Sequence, residues 1–174
     1  MAIIDGAGLG APLTNGGAPV NGTNEVQTLT IGGTPTGGTF KLAFEGFETE
    51  AIEWTDTDAE LVADTQAALN ALPTIGASGV VVAAGTLSSG IGTMTITFSG
   101  TNMAKLAQPL ATVANNGLSG TSPTLAITET TPGVTATHRN APKGAQLLDT
   151  TNGLAYINTG TAGAPTWTKV GTQT

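Results

Sequence analysis

"EVQTLTIGGTPTGGTFKLAFEG", Glu25 to Gly46, is the stretch that sets the fold class of this chain. Leu29 and Ile31 alternate with threonine, and Phe40, Leu42 and Phe44 alternate with Thr39, Lys41, Ala43 and Glu45. A spacing of two puts each apolar set on one face of an extended strand. The intervening "GGTPTGG" supplies turn residues, so the stretch predicts a β-hairpin closed by a Gly/Pro loop. The same frame, G-T-[FM]-x-[LI]-x-F-x-G, returns at Gly92 to Gly100 as "GTMTITFSG", with Met94, Ile96 and Phe98 on one side. Threonine on most of the polar positions favours extended backbone and covers an outer face. Neither copy carries a reactive group.

Working outward, Thr49 to Trp54 predicts a further strand with Ile52 and Trp54 inward. "TDTDAELVADTQAALNALP" then predicts a helix over about residues 57–72. Thr57 followed three residues later by Glu60 fits a capping box, and Asp56 and Asp58 suit the positive helix start. Leu61, Thr65, Ala68, Leu69 and Leu72 form one stripe able to lie on a sheet, and Pro73 stops the run. Val80 and Val82 begin the next strand; "MAKLAQ" predicts a short helical turn, "LATVA" and "TLAITET" the last strands, and Pro132-Gly133 the close.

Two flanking segments differ in kind. Residues 1–24, "MAIIDGAGLGAPLTNGGAPVNGTN", have no periodicity that could bury one face and read as an extended arm. Residues 134–174 read as a linker followed by a small β-meander over Ala145–Asp149, Leu154–Asn158 and Thr166–Val170. A segment of about forty residues buries little core alone and is expected to pack on another part of the chain or on copies of itself. The fold expected is therefore mainly β: a β-sandwich-like module over residues 25–133 with one helix on a sheet, an extended N-terminal arm and a small C-terminal β-meander.

Composition narrows the function classes. Only 10% of residues are charged, and twelve acids against five bases leave a net charge of −7. That balance repels phosphate backbones and anionic lipid, which argues against nucleic-acid and membrane-surface partners. Eight of the acids lie between Glu45 and Asp64, where they read as a solvated face. The absence of cysteine excludes disulfides and thiolate metal sites. No apolar run approaches the ~20 residues of a membrane span, and the start lacks the pattern of a secretory signal.

A search for chemistry finds little. His138 sits in a Thr/Arg/Asn linker and reads as a surface loop residue. No G-x-S-x-G elbow accompanies the many hydroxyls. "DTDAE" lacks the glycine and terminal glutamate of a calcium loop, and "GAGLG" lacks the flanking strand and helix of a phosphate site. No catalytic, metal or cofactor residue is therefore assigned. Tyr156 and Trp167 are candidates for stacking on a glycan or a protein, set against a plainer role as the local core of their segment.

"EVQTLTIGGTPTGGTFKLAFEG", the helix "DAELVADTQAALNALPTIGASGVVV", "GTMTITFSGT" and the closing "TETTPG" together resemble a β-rich module of tailed-bacteriophage structural proteins. The ending "LLDTTNGLAYINTGTAGAPTWTKVG" is similar to a short terminal motif of phage head fibres, decoration proteins and tail-fibre-like proteins. The resemblance implies a capsid decoration or cement protein on the outer surface of the virion head, with the major capsid protein as partner and a homo-oligomer, a trimer first, as its state. Ile3, Ile4, Leu9, Pro12, Leu13, Pro19 and Val20 are the apolar and proline positions with which such an arm would meet the capsid. A tail or fibre adhesin that binds host glycan through Tyr156 and Trp167 is the alternative the resemblance leaves open.

Overall fold

The computed structural model describes residues 11–171, which form two compact units, Thr23–Val134 and, from the two chain ends, residues 11–22 with 135–171. In chain order the elements are β1 (Leu13–Asn15), β2 (Val26–Phe44), β3 (Phe47–Glu48), β4 (Ile52–Glu53), α1 (Asp58–Asn70), β5 (Val80–Ala84), β6 (Gly92–Phe98), β7 (Thr112–Thr131), β8 (Gln146–Asp149), β9 (Leu154–Asn158) and β10 (Trp167–Lys169). The first unit is a β-sandwich-like module with one helix, built on a six-stranded sheet.

Its organiser is β2, a strand of 19 residues where a hairpin was expected. Along one edge β2 pairs antiparallel with the 20-residue β7. Along the other edge Val26–Ile31 pair with β6, and residues 39–44 pair with β4 and β3. One strand thus belongs to two half-sheets. Leu29 and Ile31 of the first half and Phe40, Leu42 and Phe44 of the second are all fully buried. Those two sets differ in parity, which a regular strand does not allow. The change falls between Pro35 and Gly37, where β2 advances two residues while β7 advances one, from Gly120 to Ser119. The extra residue is a β-bulge, and it turns every later side chain over.

Glycine makes this bending practicable. Gly33 and Gly120 have φ of +76° and +129°, and a methyl group on either would meet a backbone carbonyl, that of Ser122 or Thr34. "GGTPTGG" therefore corrects from hairpin loop to bulged middle of one strand. "LATVA" and "TLAITET" join in β7 for the same reason, since Gly117, Gly120 and Ser122 face that bulged middle. The sharp turn lies later, at Glu45 (φ 49°) and Gly46 (φ 84°), the left-handed pair that a tight two-residue hairpin takes. Of the expected strand at Thr49 to Trp54 only β4 forms, and β3 precedes it, directly after the turn. The two repeated frames meet in the core, where their equivalent aromatics Phe44 and Phe98 lie with ring centroids 5.2 Å apart.

α1 closes the module. Leu61, Thr65, Leu69 and, just past its end, Leu72 are buried, while Ala68 and Val62 pack partly against the same core. Thr57 is the N-cap, but its side chain makes no capping bond. Asp58 instead accepts a hydrogen bond from the Gly90 N–H at 2.8 Å and ties the helix start to the loop before β6. Near its other end, Asn70 Oδ1 accepts from Val80 N–H at 2.9 Å, and Gln66 Oε1 accepts from Val82 N–H at 2.8 Å. The outer edge of β5 is capped by helix amides.

A polar network closes the β2–β7 end. Gln27 is fully buried; its amide donates to the Pro109 carbonyl at 2.9 Å and accepts from Ala111 N–H at 2.9 Å. Glu25, also buried, accepts from Gly133 N–H at 2.6 Å. Desolvation, then a hydrogen bond to Glu25 and its charge, hold the Glu129 carboxyl above its ordinary value. The folded chain thus favours protonated Glu129, so this contribution is present at low pH and is lost as pH rises through the raised value.

Two outcomes test the packing. The fully buried Thr65 hydroxyl has no hydrogen-bond partner among the described residues, so Thr65→Val should raise stability by about 1 kcal/mol in chemical denaturation. Glu129→Gln should raise the melting temperature at neutral pH and give no gain well below pH 4.5, the ordinary value of the carboxyl. A uniform effect at both pH values would contradict the Glu25–Glu129 coupling.

Candidate functional site

The second unit is a four-stranded sheet in the order β1-β8-β9-β10. β8, β9 and β10 form the expected meander, with β8 and β9 joined by a loop from Thr150 to Gly153. Asp149 organises that loop: its carboxylate accepts from the Thr151 and Asn152 N–H groups at 3.0 Å and from the Asn152 side-chain amide at 2.7 Å. The Asn152 side chain chiefly, with the two backbone donors, holds this carboxyl below the usual range against the opposing effect of burial.

The fourth strand comes from the other end of the chain. β1 runs parallel to β8, with Leu13 opposite Leu147 and Asn15 opposite Asp149. Within residues 11–22 only Leu13–Asn15 is strand, followed by a bend at residues 16–18, and its partner is the chain's own C-terminal segment. Parallel pairing satisfies the backbone edge of β8, and Leu13 packs on a small core of Ala141, Leu147 and Trp167 with Ala145 and Tyr156. Val20 N–H donates to the Thr137 hydroxyl, and the Asn21 side chain accepts from Trp167 N–H. Of the expected capsid-contacting residues, Leu13 is therefore partly used in this core, Pro12 and Val20 are exposed, and Pro19 is half-buried. Ile3, Ile4 and Leu9 lie outside the described residues.

The aromatic candidates are taken up by the same core. Trp167 is 4% exposed, and its indole N–H donates to the Thr137 carbonyl at 2.8 Å. A ring so enclosed has no open face for a sugar, which corrects the expectation of a stacking surface there. Tyr156 is half-buried beside it. His138 holds β1 in place: its Nε2 lies 3.0 Å from the Thr14 carbonyl, which can only accept, so that nitrogen carries the proton.

The face of the sheet opposite this core is different in character. Register places Thr14, Leu148 and Ala155 in one cross-strand row and Gln146, Ile157 and Thr168 in the next. Val170 N–H bonds to the Ala155 carbonyl and extends the first row. None of these side chains is charged. Leu148 and Val170 are 40% and 46% exposed. In the module, by contrast, the acidic stretch lines a cleft of about 500 Å³ with Glu53, Asp56, Glu60 and Asp64, next to Trp54, whose indole N–H is committed to the Gly90 carbonyl. Among the described residues, no His, Asp and Glu side chains are grouped to hold a metal ion.

No protein-family model matches the chain, and no curated protein matches it. Among solved structures it is similar to a chain from Mycobacterium phage Patience at 16% identity and a TM-score of 0.43, over 82% of this chain. The match spans 44% of that chain's length.

Because Trp167 supplies most of the small core and one long-range hydrogen bond, Trp167→Ala should cost about 3–5 kcal/mol. A sheet of this size has little reserve. Hydrogen exchange should show β8, β9 and β10 losing protection while β2 and β6 keep theirs.

Proposed function

We propose that the chain is a non-enzymatic decoration, or cement, protein of a tailed-bacteriophage head, bound to the outer surface of the major capsid protein shell. The class comes from the sequence resemblance. The observation that carries the binding mode is the seating of the N-terminal segment: β1 fixes its root at the edge of a sheet whose outer face is uncharged and leaves Leu148 and Val170 in the open. Ile3, Ile4 and Leu9 precede that root in the sequence. A neutral, partly apolar face, in a chain that also carries Ile3, Ile4 and Leu9, suits a broad protein surface better than a small polar ligand. Binding through two elements of one chain also gains by effective concentration, since the second contact is made intramolecularly.

The seating of β1 decides how the test is built. Removing residues 1–24 would take away a strand and the Asn21 contact to Trp167, and so would unfold the sheet as well as the arm. Deleting residues 1–10 alone leaves both. That deletion, and separately Leu148→Lys, should weaken co-sedimentation with purified capsid shells by about tenfold or more while thermal unfolding stays unchanged. Occupancy at the wild-type level by both variants would overturn the proposal. Attachment to host cells instead of shells would point to the adhesin reading.

A further inference from the structure

Two of the module's boundary strands, β5 and β7, are treated in opposite ways. The edge of β5 is capped by Gln66 and Asn70 of α1. The outer edge of β7 has no such cover: among the described residues its strand partner is β2 alone, and no other backbone bond reaches residues 124–128. An antiparallel strand turns alternate N–H and C=O groups away from its partner, so this edge presents a row of donors and acceptors. Edges of this kind are normally blunted by lysine or by a covering element. From Thr112 to Thr128, β7 has no charged side chain at all.

The core beneath this edge is also incompletely covered. On β2 the inward side chains are fully buried, whereas Val113, Leu118, Leu125 and Ile127 of β7 are only partly so. Thr124–Thr128 keep an unbroken register with Gly32–Thr28, which makes them the most regular part of the strand.

We propose that this edge pairs with the same edge of a second copy, antiparallel about a two-fold axis through Ala126. That register sets Thr124 opposite Thr128 and Leu125 opposite Ile127. Threonine pairs are favourable across antiparallel strands, and Leu125 facing Ile127 sets two apolar side chains in contact. Leu125 and Ile127 of each copy would extend the other's apolar inner face. Pro123, which lacks an N–H, falls opposite Glu129, so the two copies' Glu129 carboxylates do not oppose one another and pairing ends there. Thr124–Thr128 carries no charge that would oppose its own copy. The contact is isologous and gives a dimer, in place of the trimer that the resemblance implies. It rests on the module alone and is independent of capsid binding.

The test uses the full chain. Sedimentation at high micromolar concentration should give twice the 17.1 kDa chain mass. Ala126 is exposed, so Ala126→Lys should leave the circular dichroism unchanged and give the single-chain mass, because two lysines would oppose each other on the axis. The chain has no cysteine, so a lone Ala126→Cys reports directly on the axis. It should form a disulfide-linked dimer about tenfold faster than Ala84→Cys on the capped β5, since facing strand residues lie within disulfide reach. A monomer or trimer for the unmodified chain, a dimer that survives Ala126→Lys, or equal cross-linking at the two positions would overturn the proposal.

Discussion

Both units stand on backbone pairing between segments far apart in the chain. In the module, β2 and β7 run alongside each other for nearly their whole length, and the helix and remaining strands attach to what they form. In the smaller unit, β1 and β8 bring the two chain ends together. A chain with 4% aromatic residues has few large side chains with which to hold elements in place. Long ladders compensate by satisfying many backbone groups at once and by fixing which side of each strand faces inward.

The bulge at Thr36 shows how much follows from one residue. Without it, Phe40, Leu42 and Phe44 would face outward, and the two half-sheets could not share a core. With it, one strand contributes to both halves, and Phe44 reaches Phe98. The glycines around it have a specific duty, since the crossing carbonyls leave no room for a Cβ. In the C-terminal unit the same economy appears as division of labour across the sheet. Trp167, Leu147 and Leu13 fill one side, and the opposite side carries uncharged side chains.

Much of this was legible in the sequence. Period-two alternation located the core residues of β2 and β6, the stripe from Leu61 to Leu72 located the buried face of α1, and the turn residues located the C-terminal meander. The misread features have separate causes. A run such as "GGTPTGG" signals a left-handed backbone, and both a hairpin loop and a pair of bulges need one. Thr57 and Glu60 have the spacing of a capping box, but spacing does not say where a side chain bonds. β1 is three residues long, too short for any periodicity, and its parallel partner lies at the far end of the chain. Of the candidate contact residues, the aromatics were set against a plainer core role, and that role is the one Trp167 fills.

The N-terminal segment is therefore an anchored strand with a leader rather than a free arm over its described length, and this seating can be measured in the purified chain. Residue-resolved hydrogen exchange over residues 11–22, with Leu13-to-Leu147 contacts sought by nuclear magnetic resonance, examines it most directly. Slowed exchange in β1 together with those contacts, in the chain alone and without any partner, is the predicted result. Exchange at the rate of an unstructured peptide, with no Leu13–Leu147 contact until another protein is added, would contradict it.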